Sequence, residues 1–204
     1  LLQYYNMLLD DTWVEINKNK IWTYRGFSNT ICVKIIKRCR IIHNQMNQFV
    51  KLVSEYFTQD VVEKEMSTVM NASTSNHKKT YITDLQILLQ EGLTNIMTNC
   101  CLSQLIEIQL QIFEIIHKFC KFITSMRREL CQMDSHLYDV YFEGLTNGGK
   151  QDGPLKAYNF EESSKLVPEL IGYINIVSQG FDQHIVAFKE GLRHYCHSNR
   201  ARES

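Results

Sequence analysis

The chain has 204 residues, enough for one domain with a buried core, and its 22 acidic and 22 basic residues give a formal net charge of zero. A general nucleic-acid binder is normally basic overall, so this balance excludes that class and leaves only a local basic patch for acidic partners. Two prolines and nine glycines are few for this length and favour long helices over turn-rich β structure.

Neither a membrane span nor a secretory signal is predicted. No apolar run approaches the roughly 20 residues of a membrane helix, and no signal-peptide pattern opens the sequence. The first residue already falls inside a helical pattern, so we expect residues 1–204 to be one domain excerpted from a longer chain. The seven cysteines are irregularly spaced and lie mostly on apolar stripes, which indicates reduced thiols in a cytosolic protein rather than a secreted disulfide scaffold.

Two helices are predicted at the start of the chain. The first covers about residues 1–17 and has one apolar face that includes Trp13. The second runs from about Gly26 to Met70, which is about 65 Å at about 1.5 Å per residue. Its apolar positions alternate at spacings of three and four, a pattern typical of a helix that packs along its length against other helices. These positions are Cys32, Ile35, Cys39, Ile42, Met46, Phe49, Val53 and Tyr56.

Charge is unevenly distributed along this long helix and the residues just before it. No acidic residue occurs between Ile16 and Ser54, whereas eight basic residues do: Lys18, Lys20, Arg25, Lys34, Lys37, Arg38, Arg40 and Lys51. Four acidic residues then follow closely, at Glu55, Asp60, Glu63 and Glu65. The helix dipole favours acidic residues at the start of a helix and basic residues at its end. The reversed order indicates a solvated face or a basic surface used by a partner.

The remaining elements are also helical. A polar loop near 71–80 precedes a third helix that starts at Thr83, and a fourth helix, apolar around much of its circumference, runs to about Tyr141. A glycine-rich loop near 144–158 precedes a last helix over about 159–197, in which Pro168 predicts a kink or a helix start. No β pattern occurs. The predicted fold is an all-α, elongated bundle of about five helices, several of them long.

Sequence motifs of catalysis are absent. Phosphate-binding glycine loops, a G-x-S-x-G elbow, H-E-x-x-H and C-x-x-C do not occur. His117 and Cys120 could share a metal, but their apolar surroundings favour core packing, and the cluster His194, Cys196 and His197 lacks further ligands. The carboxylates Asp10, Asp11 and Glu15 have the pattern of a solvated face. We therefore predict no enzyme activity, no cofactor and no metal.

Residue patterns along nearly the whole chain match one known family in type and spacing. They are Met7-Leu8, Asp11-Thr12-Trp13, Phe49-Val50, Tyr56, Asp60-Val61-Val62-Glu63, Leu93, Ile96-Met97, Cys100, Leu102, His117, Phe119-Cys120, Val167-Pro168 and Phe181. These positions resemble the M-L, E-T-W, H-F-V, Q-Y-Y, E-V-I-E, C-L-L and H-x-F-C patterns of the γ-tubulin complex components, the grip-motif family. The chain is similar to the C-terminal helical domain of these proteins.

The resemblance implies a function that periodicity alone does not. The domain would bind γ-tubulin without doing chemistry, next to sibling components of the complex, and would position γ-tubulin for microtubule nucleation. The implied location is the cytoplasm, at a microtubule organising centre such as a spindle pole body or centrosome. The alternative from another class is a helical rod of a membrane-tethering complex, which would associate with liposomes or a small GTPase.

Tubulins are acidic proteins, so an acid-free basic stretch suits the binding of one. Candidate γ-tubulin contacts are therefore the basic residues and a tyrosine next to the polar loop, namely Arg25, Lys34, Lys37, Arg38, Arg40 and Tyr81. The aromatic residues Trp13, Phe49 and Tyr56 are large enough to be binding hot spots, but their positions on apolar seams favour core packing.

Overall fold

The computed structural model describes residues 1–27, 30–75, 82–100, 105–134, 136–137 and 160–200, a few helical positions among them by backbone alone. Seven α-helices have both ends in this part of the chain: α1 (Leu2–Lys18), α2 (Lys20–Thr23), α3 (Thr30–Glu55), α4 (Lys64–Ser75), α5 (Ile82–Cys100), α6 (Ile106–Met133) and α7 (Phe160–Arg200). A π-helix, Tyr56–Glu63, joins α3 to α4 without a break. The described residues contain no strand, so the all-α prediction is confirmed. Counting α3, the π-helix and α4 as one continuous helix and leaving the short α2 aside gives five longer helices.

Several helix ends differ from the predicted ones. The long second helix extends to Ser75, so the polar residues 71–75, which the sequence predicts to be loop, are helical. Helix α6 ends at Met133 rather than near Tyr141. Helix α7 begins well before Pro168 and includes it, so a helix start at this proline is excluded. The rest of the predicted loops, 76–80 and 144–158, lies outside the described residues.

The chain divides into two compact units, Leu1–Asn47 with Gln111–Ile185, and Gln48–Leu110 with Val186–Ser204. In the first unit, α1 lies antiparallel to the N-terminal part of α3. This direction follows from two side chains of α3, because His43 Nε2 is 2.8 Å from the Leu9 carbonyl and Arg40 is hydrogen-bonded to the carbonyl of Ile16, further along α1.

Helices α6 and α7 complete the first unit. The rings of Tyr5 and Phe113 stack at 4.4 Å and place α6 beside α1, while Phe122 and Tyr173 bring α6 against α7 at 4.5 Å. The predicted seam of α3 is buried here, and so are many apolar side chains of α6. Each fully buried Ile, Leu, Met or Phe side chain stabilises the fold by about 1.5–3 kcal/mol relative to exposure. The largest of them include Ile42, Met46, Ile112, Phe113, Ile116, Phe119, Ile123 and Met126.

In the second unit, α4 and α5 form an antiparallel pair. Gly92 of α5 allows close approach, since a Cβ atom there would lie 2.8 Å from Val69 Cγ2, and Asn95 donates a hydrogen bond to Glu65 at 3.3 Å. On α5, Leu93 and Met97 are exposed, whereas Gly92 is buried. No helix in the described part of the chain is long and apolar enough to cross a membrane.

The π-helix changes which residues are buried. A π-helix closes its hydrogen bonds from residue i to i+5, so it adds a residue to the turn and rotates everything that follows. After Val53 the inward positions are Phe57, Val61 and Val69, at spacings of four, four and eight residues. Tyr56, which the uninterrupted seam predicts to be buried, is 40% exposed.

Candidate functional site

A short reversal of the chain connects α1 to α3 in the first unit. Helix α1 ends at Lys18, and Asn19 leaves the helix with extended backbone angles of φ −70° and ψ 132°. The carbonyl of Asn19 then accepts two hydrogen bonds from Thr23, one from its backbone N–H at 3.1 Å and one from its hydroxyl at 3.0 Å. These bonds close the single turn of α2 and place residues 22–27 beside the beginning of α3.

A cleft of about 410 Å³ opens at this reversal. Its size lies in the range of ordinary ligand pockets, about 300–1,000 Å³. The lining combines aromatic, aliphatic and basic side chains, and none of the described residues around it is acidic. They are Asn17, Trp22, Thr23, Tyr24, Arg25, Phe27, Val33, Ile36, Lys37 and Arg40. We call this group the basic cleft.

The apolar part of the basic cleft comes from the reversal and from α3. Trp22 is only 1% exposed and Ile36 is also buried, while the rings of Tyr24 and Phe27 meet edge to face at 5.3 Å. Gly26 lies between these two rings, and a Cβ atom at this position would be 2.7 Å from the Tyr24 hydroxyl. Because glycine has no Cβ atom, it leaves room for the Tyr24 side chain.

Three cations line the basic cleft. Arg25 and Lys37 are exposed, whereas Arg40 is half-buried. Its Nη2 donates to the carbonyls of Ile16 at 3.4 Å and Trp22 at 3.3 Å, which lie in the last turns of α1 and α2. A positive charge is favourable there because the helix dipole makes C-terminal ends partly negative. Arg40 therefore joins the ends of both helices to α3.

Two buried donors of the basic cleft have no acceptor among the described residues. They are Arg40 Nε and Trp22 Nε1, both of which are inaccessible to solvent. Buried N–H groups are nearly always hydrogen-bonded in folded proteins. The basic cleft thus contains N–H donors for which the described residues provide no hydrogen-bond acceptor.

The candidate contact residues divide into three sets. Arg25, Lys37 and Arg40 come together around the basic cleft. Lys34 and Arg38 are exposed one helical turn apart on α3 and do not line the cleft. Arg40 differs from the exposed contact that the sequence predicts, because its guanidinium turns inward to the helix ends. The sixth candidate, Tyr81, lies outside the described residues.

Sequence reasoning overlooked the aromatic side chains at the reversal and one buried histidine. The signal for the former was present, because Trp22, Tyr24 and Phe27 alternate with other residues around Arg25. His43 follows the seam residue Ile42 and is 1% exposed. Burial lowers the pKa of its imidazole, and its Nδ1 has no partner among the described residues.

The three aromatic hot-spot candidates lie in different environments. Trp13 is 47% exposed and stacks on the ring of His43 at 5.3 Å, so core burial is wrong for this residue, as it is for Tyr56. Phe49 is half-buried and meets Phe188 edge to face at 5.6 Å within the second unit.

Among the described residues, no three His, Cys, Asp or Glu side chains cluster closely enough to hold a metal ion. Cys120 is buried, which raises its thiol pKa to about 11, and His117 Nδ1 lies 3.5 Å from the Tyr4 hydroxyl. Asp10 and Asp11 are exposed, and the half-buried Glu15 lies 3.7 Å from Arg127. His194 is exposed on α7, whereas the side chains of Cys196 and His197 lie outside the described residues.

Comparison with known proteins identifies the family. The family described as "Gamma tubulin complex component C-terminal" matches residues 2–203. "Spindle pole body component SPC97" of Saccharomyces cerevisiae is 41% identical over 198 residues, and the match covers 92% of this chain and 23% of that protein. The present sequence therefore spans about a quarter of the length of this relative. The match extends through all of the helices described above, and the chain belongs to the γ-tubulin complex component family, within the C-terminal region of its proteins.

Proposed function

We propose that this chain is a non-catalytic γ-tubulin-binding domain, which holds γ-tubulin in position for microtubule nucleation within a complex of sibling components. The observation that carries this proposal is the family match over residues 2–203. The name of the yeast relative assigns that protein to the spindle pole body, and we extend a location at a cytoskeletal organising centre to this chain.

The surface of the first unit is compatible with this role. Lys34, Lys37 and Arg38 are exposed on one helix, and no acidic residue occurs between Ile16 and Ser54 to neutralise them locally. A positive surface accelerates the encounter with an acidic protein, while apolar anchors slow its dissociation. Helices packed around a buried core provide a stiff support for such a surface, and no reaction step is required of the domain.

Co-purification of the full-length protein with γ-tubulin tests the proposal. We expect the wild type to retain γ-tubulin, and we expect reversal of Lys34, Lys37 and Arg38 to Glu to weaken binding on the order of tenfold at low salt, since each exposed charge pair contributes about 0.2–1 kcal/mol. Arg40 is left unchanged because its guanidinium joins the ends of α1 and α2.

A matched variant reverses three exposed lysines elsewhere, Lys121, Lys165 and Lys189, and should bind γ-tubulin like the wild type. Circular dichroism of both variants checks that the fold is intact. A wild-type protein that does not bind γ-tubulin but binds liposomes or a small GTPase would instead favour the alternative, a helical rod of a membrane-tethering complex. The family assignment supports the γ-tubulin role over that alternative.

A further inference from the structure

We propose that the basic cleft is a pocket for an acidic segment of the bound partner, in which one apolar side chain is flanked by carboxylates. This inference rests on the proposed function, because it takes the partner to be γ-tubulin. The proposal names the site on this domain where the partner binds and the chemical groups that the site recognises.

The basic cleft has more hydrogen-bond donors than acceptors among its described side chains. Arg25, Lys37 and Arg40 supply cationic donors around the cleft, while its described lining has no carboxylate to accept them. The buried donors Arg40 Nε and Trp22 Nε1 also have no acceptor there. A group rich in acceptor oxygens and carrying negative charge is the complement of such a lining.

The floor of the basic cleft is apolar, which favours a peptide over a small anion as its ligand. Trp22 and Ile36 are buried, and Tyr24 and Phe27 form an edge-to-face pair beside them. A phosphate ion alone would leave these surfaces unfilled in a cleft of about 410 Å³. An aromatic or aliphatic side chain of a peptide can pack on this floor while neighbouring carboxylates reach Arg25 and Lys37 at the rim.

Hydrogen bonds within the free protein hold the basic cleft in its shape. Arg40 joins the carbonyl ends of α1 and α2 to α3, and the Asn19 carbonyl closes the turn between them. A pocket already ordered in the free protein loses less conformational entropy on binding. The exposed rim residues, in contrast, make none of these structural bonds and can be replaced without removing them.

Fluorescence anisotropy with the full-length protein tests the cleft directly. The probe is a labelled peptide in which one phenylalanine is flanked on both sides by glutamates. We expect it to bind at low salt and to bind at least about tenfold more weakly when its glutamates are replaced by glutamine or its phenylalanine by serine. Inorganic phosphate at matched ionic strength should not displace it; displacement would assign the cleft to phosphate and overturn the proposal.

The rim variant Arg25→Glu with Lys37→Glu should lose the peptide and weaken γ-tubulin binding by a similar factor. The matched variant Lys121→Glu with Lys165→Glu should change neither measurement. Peptide binding that survives the rim variant overturns the cleft as its site. Loss of peptide with unchanged γ-tubulin binding overturns the assigned occupant but leaves the γ-tubulin role standing. A wild-type protein that binds the peptide through the rim but never binds γ-tubulin refutes the proposed function itself.

Discussion

The half-buried Arg40 and the buried His43 fix how α1 meets α3, because both contact backbone carbonyls of α1. Arg40 contacts the end of the helix at Ile16, and His43 contacts its middle at Leu9. The histidine must donate this bond, so its Nε2 carries a proton and its Nδ1 is the unprotonated nitrogen of the neutral ring. Burial of this neutral ring makes protonation unfavourable.

The stability of the protein should therefore depend on His43 as pH falls. Burial lowers the pKa of His43 below its ordinary value of 6.5, so the unfolded chain binds the proton first. The free energy of unfolding should decrease as pH falls below 6.5, by at most about 1.4 kcal/mol per pH unit from this one site. Chemical denaturation of the wild type and of His43→Leu at neutral and mildly acidic pH measures this contribution.

The His43→Leu variant should lose stability less steeply in acid than the wild type. His136→Gln serves as the control because this side chain is exposed to solvent, and it should keep the wild-type pH dependence. Equal slopes for the wild type and His43→Leu would contradict the inferred burial of a neutral imidazole.

At the scale of elements, the sequence predicted the α-helical seam well where the helix is regular. The buried positions from Cys32 to Met46 follow the 3-4 spacing as expected, because helical periodicity dictates which side chains face the core. The prediction failed at Tyr56, since one added residue in the π-helix rotates the following face and no composition signal announces it. The available sign was the change from 3-4 spacing to a spacing of eight residues between Val53, Val61 and Val69.

Removing one residue from the π-helix should be tolerated. Deletion of Gln59, which is exposed, lets Tyr56–Glu63 close as an ordinary α-helix and keeps Val53 and Val61 on one face. We expect a change in unfolding free energy within about 1 kcal/mol. Thermal and chemical denaturation followed by circular dichroism measure it.

Deletion of the exposed Gln48 in the regular part of α3 is the matched comparison. It rotates the rest of the helix by about 100°. The loss of core contacts should cost on the order of 3 kcal/mol or more. Equal changes in unfolding free energy for the two deletions would contradict the idea that the π-helix contains one residue more than an α-helix needs.

Two glycines of α7 should respond to alanine in opposite directions. At Gly172 a Cβ atom meets nothing within 4 Å, so Gly172→Ala should stabilise the helix by about 0.5–1 kcal/mol. At Gly191 a Cβ atom would collide with the buried side chain of Leu105, and overpacking typically costs about 1–3 kcal/mol. Denaturation midpoints of the two variants measure the difference, and stabilisation by both would contradict the close packing at Gly191.

At the scale of the whole molecule, the net charge is zero, but basic and acidic residues are separated along one helix. The basic residues of α3 precede Glu55, Asp60 and Glu63, so an acidic partner meets attraction at one part of the surface and repulsion at another. Sequence alone showed this order of charges. It did not show which cations are exposed, because the inward turn of Arg40 depends on carbonyls that only the folded reversal brings near it.

The proposed association with γ-tubulin should therefore depend strongly on salt. Between low and physiological ionic strength the association rate constant should fall, because exposed charges are screened over about 8–10 Å. The dissociation rate constant should change little, since it reflects packed contacts. Stopped-flow or surface-binding kinetics measure both. Reversal of Lys34, Lys37 and Arg38 to Glu should make the association rate constant less dependent on salt. An unchanged salt dependence would show that the electrostatic contact lies elsewhere on the protein.

The buried thiols of the first unit have a practical consequence for measuring its motions. Burial raises the pKa of Cys32, Cys39 and Cys131 to about 12, so at neutral pH these side chains are almost entirely protonated as well as inaccessible. Thiolates, not thiols, react with iodoacetamide. Alkylation of the peptides that contain them, followed by mass spectrometry, should thus proceed only as fast as the core opens and should accelerate in step with added denaturant. The protein carries intrinsic reporters of its own opening, with no dye or engineered cysteine needed.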